Sequence, residues 1–353
     1  MLNSFFCIAA RSESASTGHD KAFNVGYTVL DLAYRTSKNK TKTLTVAVWY
    51  PTNAAPARYN YGGPTNGMVA LDAPPYPAAR PYPLLVFSHG YGGSGLSSVF
   101  LTEDLAARGW IVAAPDHNDK YSAVRIRTGR NKDLDRTGFL LDAEKITNSD
   151  ADHRDEYLYR IDELKSVLNQ MLASEQFGKL IDRERIAVGG HSFGGFTALG
   201  LCGTVEARRD NRIKAVLLYS TGASGYLFQE NELGEVKVPS MYFLGERERD
   251  QKRGKSTMEE LSNRVYRNVA PPKYFLVVKG GNHFSFNNRF AADPGSRFLG
   301  GSEEQFEVIR RYSIAFLEKH VLGQECGNGI LEQQDPLLTR YLREPRQAAA
   351  RKD

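Results

Sequence analysis

Ser192, His283 and three carboxylates, Glu246, Glu248 and Asp250, are the residues whose types and surroundings fit nucleophilic chemistry. Ser192 stands in Gly190-His191-Ser192-Phe193-Gly194, after the apolar run Ile186-Ala187-Val188 and before the small-residue stretch Gly195-Phe196-Thr197-Ala198-Leu199-Gly200. G-x-S-x-G in that setting places a serine on a sharp strand-to-helix turn. Glycines flank it because the serine backbone is strained there and a side chain on either side would strike the adjoining strand or helix. A helix starting near Phe193 turns its N-terminal dipole and a free N–H toward any negative charge that develops beside the serine.

A serine needs a base, and the base needs an orienting acid. His283, in Lys279-Gly280-Gly281-Asn282-His283-Phe284-Ser285-Phe286, follows the apolar run Tyr274–Val278, where a late-chain general base belongs. The other histidines fit less well. His89 and His191 lie inside glycine motifs, His19, His153 and His320 in a tail or on helices, and His117 just past a strand. The acid is expected between serine and histidine in the chain. Tyr219-Ser220-Thr221-Gly222 offers none, whereas Gly245-Glu246-Arg247-Glu248-Arg249-Asp250 offers three. Finally, Ser88-His89-Gly90-Tyr91-Gly92-Gly93-Ser94-Gly95 is a glycine-rich turn after a buried strand. It lacks the Lys-Ser/Thr of a phosphate loop. Its backbone can instead share an oxyanion with the N–H that follows the serine, which names Tyr91 and Phe193 as donors.

These residues need elements to carry them. Eight strands are expected: Val25–Leu32 and Leu44–Tyr50 as an antiparallel edge hairpin, then Leu84–Ser88, Trp110–Pro115, Ile186–Gly190, Lys214–Tyr219, Ser240–Leu244 and Tyr274–Val278. Helices are expected at Ser98–Arg108, Tyr157–Ala173, Ser256–Arg267 and Glu303–Leu322. Strands separated by crossover lengths imply one α/β fold, a mostly parallel sheet with helices on both faces, whose strand ends collect the functional loops. Pro51–Pro83 is read as a long loop and residues 116–156 as a loop or partial lid. The division is a tail over 1–22, a catalytic domain over 23–325 and an extension over 326–353, with a solvated, frayed basic end from Arg340 to Lys352.

Composition narrows the class. A hydrophobic content of 41% suffices for a core in 353 residues, and no apolar run reaches the length of a membrane span. The net charge of +5 is spread among acids without a basic–aromatic stripe, which argues against nucleic acid as a partner. Three cysteines, Cys7, Cys202 and Cys326, provide neither a disulfide framework nor a thiol-rich metal site, and no cofactor motif is present. The Asp150-Ala151-Asp152-His153-Arg154-Asp155-Glu156 cluster is read as a helix start rather than a metal site. Phe5–Ala10 is a short apolar run without a preceding basic residue. A secreted or periplasmic location follows if it is a trimmed signal, and a cytoplasmic one otherwise. His191, Tyr226 and Phe284 flank the expected site and could line a substrate pocket. The arginines between Arg125 and Arg136 belong to a solvated lid face or to the reception of an anionic group.

Gly90-Tyr91-Gly92-Gly93, Val112-Ala113-Ala114-Pro115-Asp116-His117-Asn118-Asp119 and Ile181-Asp182-Arg183-Glu184-Arg185-Ile186-Ala187-Val188-Gly189-Gly190-His191-Ser192-Phe193-Gly194-Gly195 resemble the platelet-activating-factor acetylhydrolases and their dienelactone-hydrolase-like relatives. The resemblance runs from about Leu84 to His283. It implies an α/β-hydrolase fold and a metal-independent serine esterase acting on short or oxidised acyl esters. Family sequences read Gly-Glu-x-Asp after the seventh strand, which aligns Glu248 with the acid. The acetylhydrolases carry theirs after the sixth strand, where this chain has no carboxylate. The chain is also similar to bacterial cutinase-like polyesterases, though it lacks their tryptophan after the sixth strand, so polyester and phthalate-type esters join the expected small-molecule esters. An amidase or peptidase on the same residues, and a non-catalytic binding protein of the same fold, are the alternatives.

Overall fold

Residues 22–62, 65–77, 79–222, 226–288, 301–325 and 327–345 are described by a computed structural model. Cys7, Cys326, His19 and the N-terminal tail up to residue 21 lie outside them. The chain opens with the antiparallel strands β1 (Asn24–Arg35) and β2 (Thr41–Thr52), followed by a second hairpin, β3 (Ala57–Gly62) with β4 (Thr65–Leu71). Then come β5 (Tyr82–Ser88), α1 (Val99–Ala107), β6 (Ile111–Pro115), the two-residue pair β7 (Val124–Arg125) and β8 (Gly129–Arg130), α2 (Arg136–Asn148) and α3 (Tyr159–Ala173). The second half runs β9 (Ile181–His191), α4 (Phe193–Leu199), β10 (Ile213–Tyr219), α5 (Glu230–Leu233), β11 (Ser240–Gly245), the pair β12 (Lys252–Arg253) and β13 (Ser256–Thr257), α6 (Met258–Asn268), β14 (Lys273–Val278), α7 (Glu303–Leu317), α8 (Asn328–Glu332) and β15 (Leu338–Glu344).

One 11-stranded sheet has the order β15-β14-β11-β10-β9-β5-β6-β2-β1-β4-β3. Its middle, β6 through β14, is parallel throughout. These strands read as unbroken apolar runs because both faces are covered. With a side-chain period of two, Leu84 and Val86 of β5 face a core completed by α3, α4 and α6, while Leu85 and Phe87 face a second core under α1 and α7. All parallel strands therefore end at one edge, where the loops carrying Tyr91, Ser192, Ser220, Glu248 and His283 meet.

Three expectations need correction. The sheet holds eleven strands rather than eight. The stretch read as a loop from Pro51 to Pro83 contains β3 and β4, whose Tyr59 and Tyr61 rings pack on Tyr27 about 5 Å away. Trp49 Nε1 also donates to the Tyr61 hydroxyl (2.9 Å). Of the expected frayed basic end, the stretch to Glu344 instead belongs to β15, antiparallel on β14, and the rest from residue 346 lies outside the described residues. Arg340 there pairs with Glu259 (3.1 Å) and lies over the Phe275 ring. Both additions lie at the margins of the sheet, where β4 docks on β1 and β15 on β14, partners remote in sequence. Residues 116–156, too, are largely ordered into β7–β8, α2 and a 3-10 turn at Ala151–Tyr157. Asp150 caps that turn, accepting from the backbone N–H groups of Asp152 and His153. Its acids act as helix-start residues, and among the described residues no cluster of histidine, cysteine or carboxylate ligands could hold a metal.

Candidate active site

β9 delivers Ser192 to the sheet edge. Ser192 has φ 53° and ψ −121°, a strained backbone that non-glycine residues rarely adopt. Its N–H donates to the Tyr219 carbonyl of β10 (2.8 Å), and Gly195 N–H donates to its carbonyl (2.9 Å), so the turn is pinned from both sides. The flanking glycines are sterically required. A Cβ on Gly190 would stand 2.2 Å from the Gly194 carbonyl oxygen, and one on Gly194 would stand 2.0 Å from that of Ser88.

Across the edge, His283 Nε2 lies 2.9 Å from Ser192 Oγ, and its Nδ1 lies 3.0 Å from Glu248 Oε2. Glu248 is fully buried, with Oε1 accepting from Gly245 N–H (2.8 Å). The other two acid candidates go elsewhere. Glu246 accepts from Gly280 N–H (2.7 Å) and Asp250 is exposed. Beside Glu246, Arg247 N–H donates to the Gly281 carbonyl (2.7 Å), which ties the loop after β11 to the loop carrying His283. The 3-10 turn Glu246–Glu248 decides the matter geometrically: three residues per turn aim Glu246 at the backbone and Glu248 at the imidazole. An imidazole so placed can take a proton from Oγ and share the resulting charge with a carboxylate.

The glycine turn after β5 adjoins the elbow, since a Cβ on Gly90 would lie 3.0 Å from Ser192 Cβ. The Gly90 carbonyl is held on the protein side by His89 Nδ1 (2.6 Å) and Gly93 N–H (3.0 Å). A trans peptide points its N–H opposite to its C=O, so the Tyr91 N–H faces away from those partners. Phe193 buries its ring against Phe196 and beneath the Arg160 guanidinium, leaving its backbone N–H at the start of α4. Tyr91 stacks on Phe139 and donates through its hydroxyl to Asp142 (2.6 Å). A cavity of about 620 Å³, lined by Ala123, Arg130, Asn131, Lys132, Leu134, Arg136, Phe139 and Leu140, lies beyond that stack. Of the neighbouring arginines, Arg125 donates to the His117 carbonyl and Arg127 pairs with Asp31.

Phe284 and Tyr226 are half-buried, and the Phe284 ring stands edge-on to His283. His191 does not line a pocket: it is buried, and its Nε2 donates to the His283 carbonyl (2.7 Å), bracing the loop. Burial, followed by the neighbouring His283, pushes the His191 imidazole down to about 3. Residue-type reasoning missed two features. One is Ser220, for which only its place at the end of β10 was a signal. The other is a buried network under the glycine turn, in which Ser88 Oγ meets His117 Nε2 (2.8 Å) and His117 Nδ1 meets Glu163 Oε2 (2.8 Å). This repeats a serine–histidine–glutamate order of contacts, but all three side chains are fully buried, out of reach of any substrate. Arg160, paired with Asp119 (3.2 Å), donates to the His89 carbonyl and ties the network to the turn.

His89, His117 and His191 give the fold a pH dependence. Burial, and then the Arg160 charge, hold His89 and His117 neutral well below the usual histidine range. An unfolded chain protonates these imidazoles below about pH 6.5, and the folded chain does not. Stability is therefore full above that pH and falls as pH drops, by about 2 kcal/mol per histidine between pH 7 and 5. Asp116 works in the opposite sense. Burial raises its carboxyl to about 6 although Gly95 and Ile126 N–H groups donate to it. Proton uptake there in the folded state offsets about 1 kcal/mol over the same range. Thermal melting should thus show a clearly lower Tm at pH 5 than at pH 7; an unchanged or higher Tm would refute this account.

A mostly parallel sheet wrapped by helices, with a positive-φ serine leaving a central strand for a helix, is an α/β-hydrolase fold. The family described as platelet-activating factor acetylhydrolase, isoform II, matches residues 65–336, and the chain belongs to that family. The platelet-activating factor acetylhydrolase of Cavia porcellus is 25% identical over 273 residues, covering 70% of this chain and 59% of that protein. The Bos taurus acetylhydrolase is 32% identical over 273 residues, covering 68% and 57%. Lipase 1 of Moraxella sp. (strain TA144) is 29% identical over 157 residues, 43% of each chain. The chain thus spans under two thirds of the length of the curated relatives it matches. A solved structure of a ferulic acid esterase from Streptomyces cinnamoneus shares the fold, with a TM-score of 0.67 and 23% identity over 90% of this chain and 93% of that one.

Proposed function

We propose that the protein is a carboxylic-ester hydrolase that works through an acyl-enzyme on Ser192. The observation that carries this reading is Ser192 Oγ, on its strained turn, within 2.9 Å of a His283 whose far nitrogen meets buried Glu248. Ser192 Oγ attacks the ester carbonyl while His283 Nε2 takes its proton. The tetrahedral oxygen accepts from the Tyr91 and Phe193 N–H groups, and His283 returns the proton to the departing alcohol. Water then releases the acid by the same route in reverse. Each oxyanion donor in such a pair is worth about 10²–10³ in rate.

Short-acyl or small-molecule esters are the substrates that family membership favours, and polyester or phthalate-type esters are the larger candidates. Family membership supports the reaction class. The test is turnover of p-nitrophenyl acetate and a series of longer acyl chains, together with labelling by a fluorophosphonate probe. Turnover that falls as the acyl chain lengthens, with one label on Ser192, is expected. Neither turnover nor labelling would overturn the reading, and faster cleavage of matched anilides than of esters would convert it to an amidase.

A further inference from the structure

Ser220 follows β10 at φ 48° and is fully buried. Its N–H donates to the Phe243 carbonyl of β11 (2.8 Å), so the residue is anchored between two strands of the sheet. Its Oγ stands 2.6 Å from Glu248 Oε2 and 2.6 Å from His283 Nδ1, closer to the imidazole than the carboxylate oxygen at 3.0 Å. An ionised carboxylate has no proton to give, so the hydroxyl must donate to Glu248. The lone pairs that remain on Oγ face Nδ1, and the Nδ1–H is shared between two oxygens in a three-centre bond.

We propose that Ser220 is a positioning residue of this site, holding Glu248 Oε2 with its proton and His283 Nδ1–H with its lone pair. The proposal rests on the reading of Ser192, His283 and Glu248 given above. The strained backbone supports it. A serine at φ 48° costs free energy that the surroundings must offset, and such strain persists where the structure over-determines a position. What over-determines this one is two short contacts, both to members of the site. The hydroxyl also closes the geometry: with Gly245 N–H on Oε1 and Ser220 on Oε2, the buried carboxylate is fixed at both oxygens before the imidazole approaches. Because the hydroxyl acts on the charged imidazole that forms during turnover rather than on the ester, its removal should lower kcat and leave KM alone.

Two measurements test this. Ser220→Ala should lose about tenfold in kcat with unchanged KM, as expected for a charge-assisted hydrogen bond. Equal kcat in this variant would overturn the proposal. The second test asks whether position 220 can orient His283 by itself. Glu248→Ala empties the space beside Nδ1, and Ser220→Asp then places a carboxylate there. Aspartate and asparagine both suit a positive φ better than most residues. Glu248→Ala/Ser220→Asp should exceed Glu248→Ala by about 10²-fold in kcat, part of the roughly 10⁴ that a triad carboxylate is worth. Glu248→Ala/Ser220→Asn, matched in size and backbone preference, should show no gain. Equal activity of the two double variants, with both folded by thermal melting, would overturn the positioning role while leaving the triad reading intact. Full activity of Glu248→Ala alone would instead overturn the triad reading itself. If the aspartate variant does not fold, the Ser220→Ala kinetics decide.

Discussion

Replacing Ser192 by alanine is expected to lower kcat toward p-nitrophenyl acetate by about 10⁵–10⁶-fold while leaving the fold and Tm nearly unchanged. The size follows from the geometry. Ser192 Oγ is the only oxygen within hydrogen-bonding reach of His283 Nε2 among the described side-chain contacts. Without it, the imidazole can still direct a water, and the Tyr91 and Phe193 N–H groups can still donate to an oxyanion, which leaves the residual rate of binding and donors alone. Alanine removes no packing of consequence, and the turn is held by backbone bonds from Ser192 N–H and Gly195 N–H that an alanine preserves. Rate and melting should therefore separate cleanly. A variant that keeps more than a few per cent of the rate would show that another nucleophile acts.

Glu248→Gln should cost about 10⁴ in kcat, with Asp250→Asn nearly silent and Glu246→Gln in between. Glutamine fits the same space and can still accept from Gly245 N–H through its carbonyl oxygen. It then turns an amide N–H toward Nδ1, which favours the imidazole tautomer with its proton on Nε2, the wrong nitrogen for taking one from Ser192. The charge that balances the imidazolium is lost as well. Asp250 is exposed. Glu246 holds Gly280 N–H, three residues before His283, so its amide should loosen the loop without removing the orienting charge. Steady-state kinetics on the three variants give the ranking. If Asp250→Asn or Glu246→Gln cost more than Glu248→Gln, the orienting acid would be a different residue.

Much of the framework was legible locally. The eight apolar or alternating runs are strands, and the helices at Val99–Ala107, Tyr159–Ala173, Met258–Asn268 and Glu303–Leu317 lie within a few residues of their expected spans. Period and length report burial on one or two faces, and burial is what those runs were composed for. The strands of the main sheet that escaped notice, β3, β4 and β15, lie at its two margins, with β3 and β15 as the edges. Tyr59 and Tyr61 owe their conformation to Tyr27 and Trp49, and Arg340 owes its own to Glu259 and Phe275. A local window holds the β3–β4 hairpin but not the distant β1 and β14 on which the hairpin and β15 dock, so it does not contain the reason these segments join the sheet.

The same division runs through the site. By itself the sequence determined that Ser192 turns from a strand into a helix, that a glycine turn at Gly90–Gly93 lies at another strand end, and that His283 follows a late strand. Each is a short-range pattern whose steric logic is complete within about ten residues. The family likeness pointed to Glu248, but only the tertiary structure gives the physical reason that it, among three neighbouring carboxylates, meets the imidazole: a single 3-10 turn is clamped by Gly280 and Gly281 of another loop. It also decided that His191 braces the His283 loop, and that Ser220 completes the contact between Glu248 and His283. Those assignments rest on side chains from separate strands converging to within 3 Å. Such convergence is a property of the closed sheet edge and is not encoded in any one segment of it.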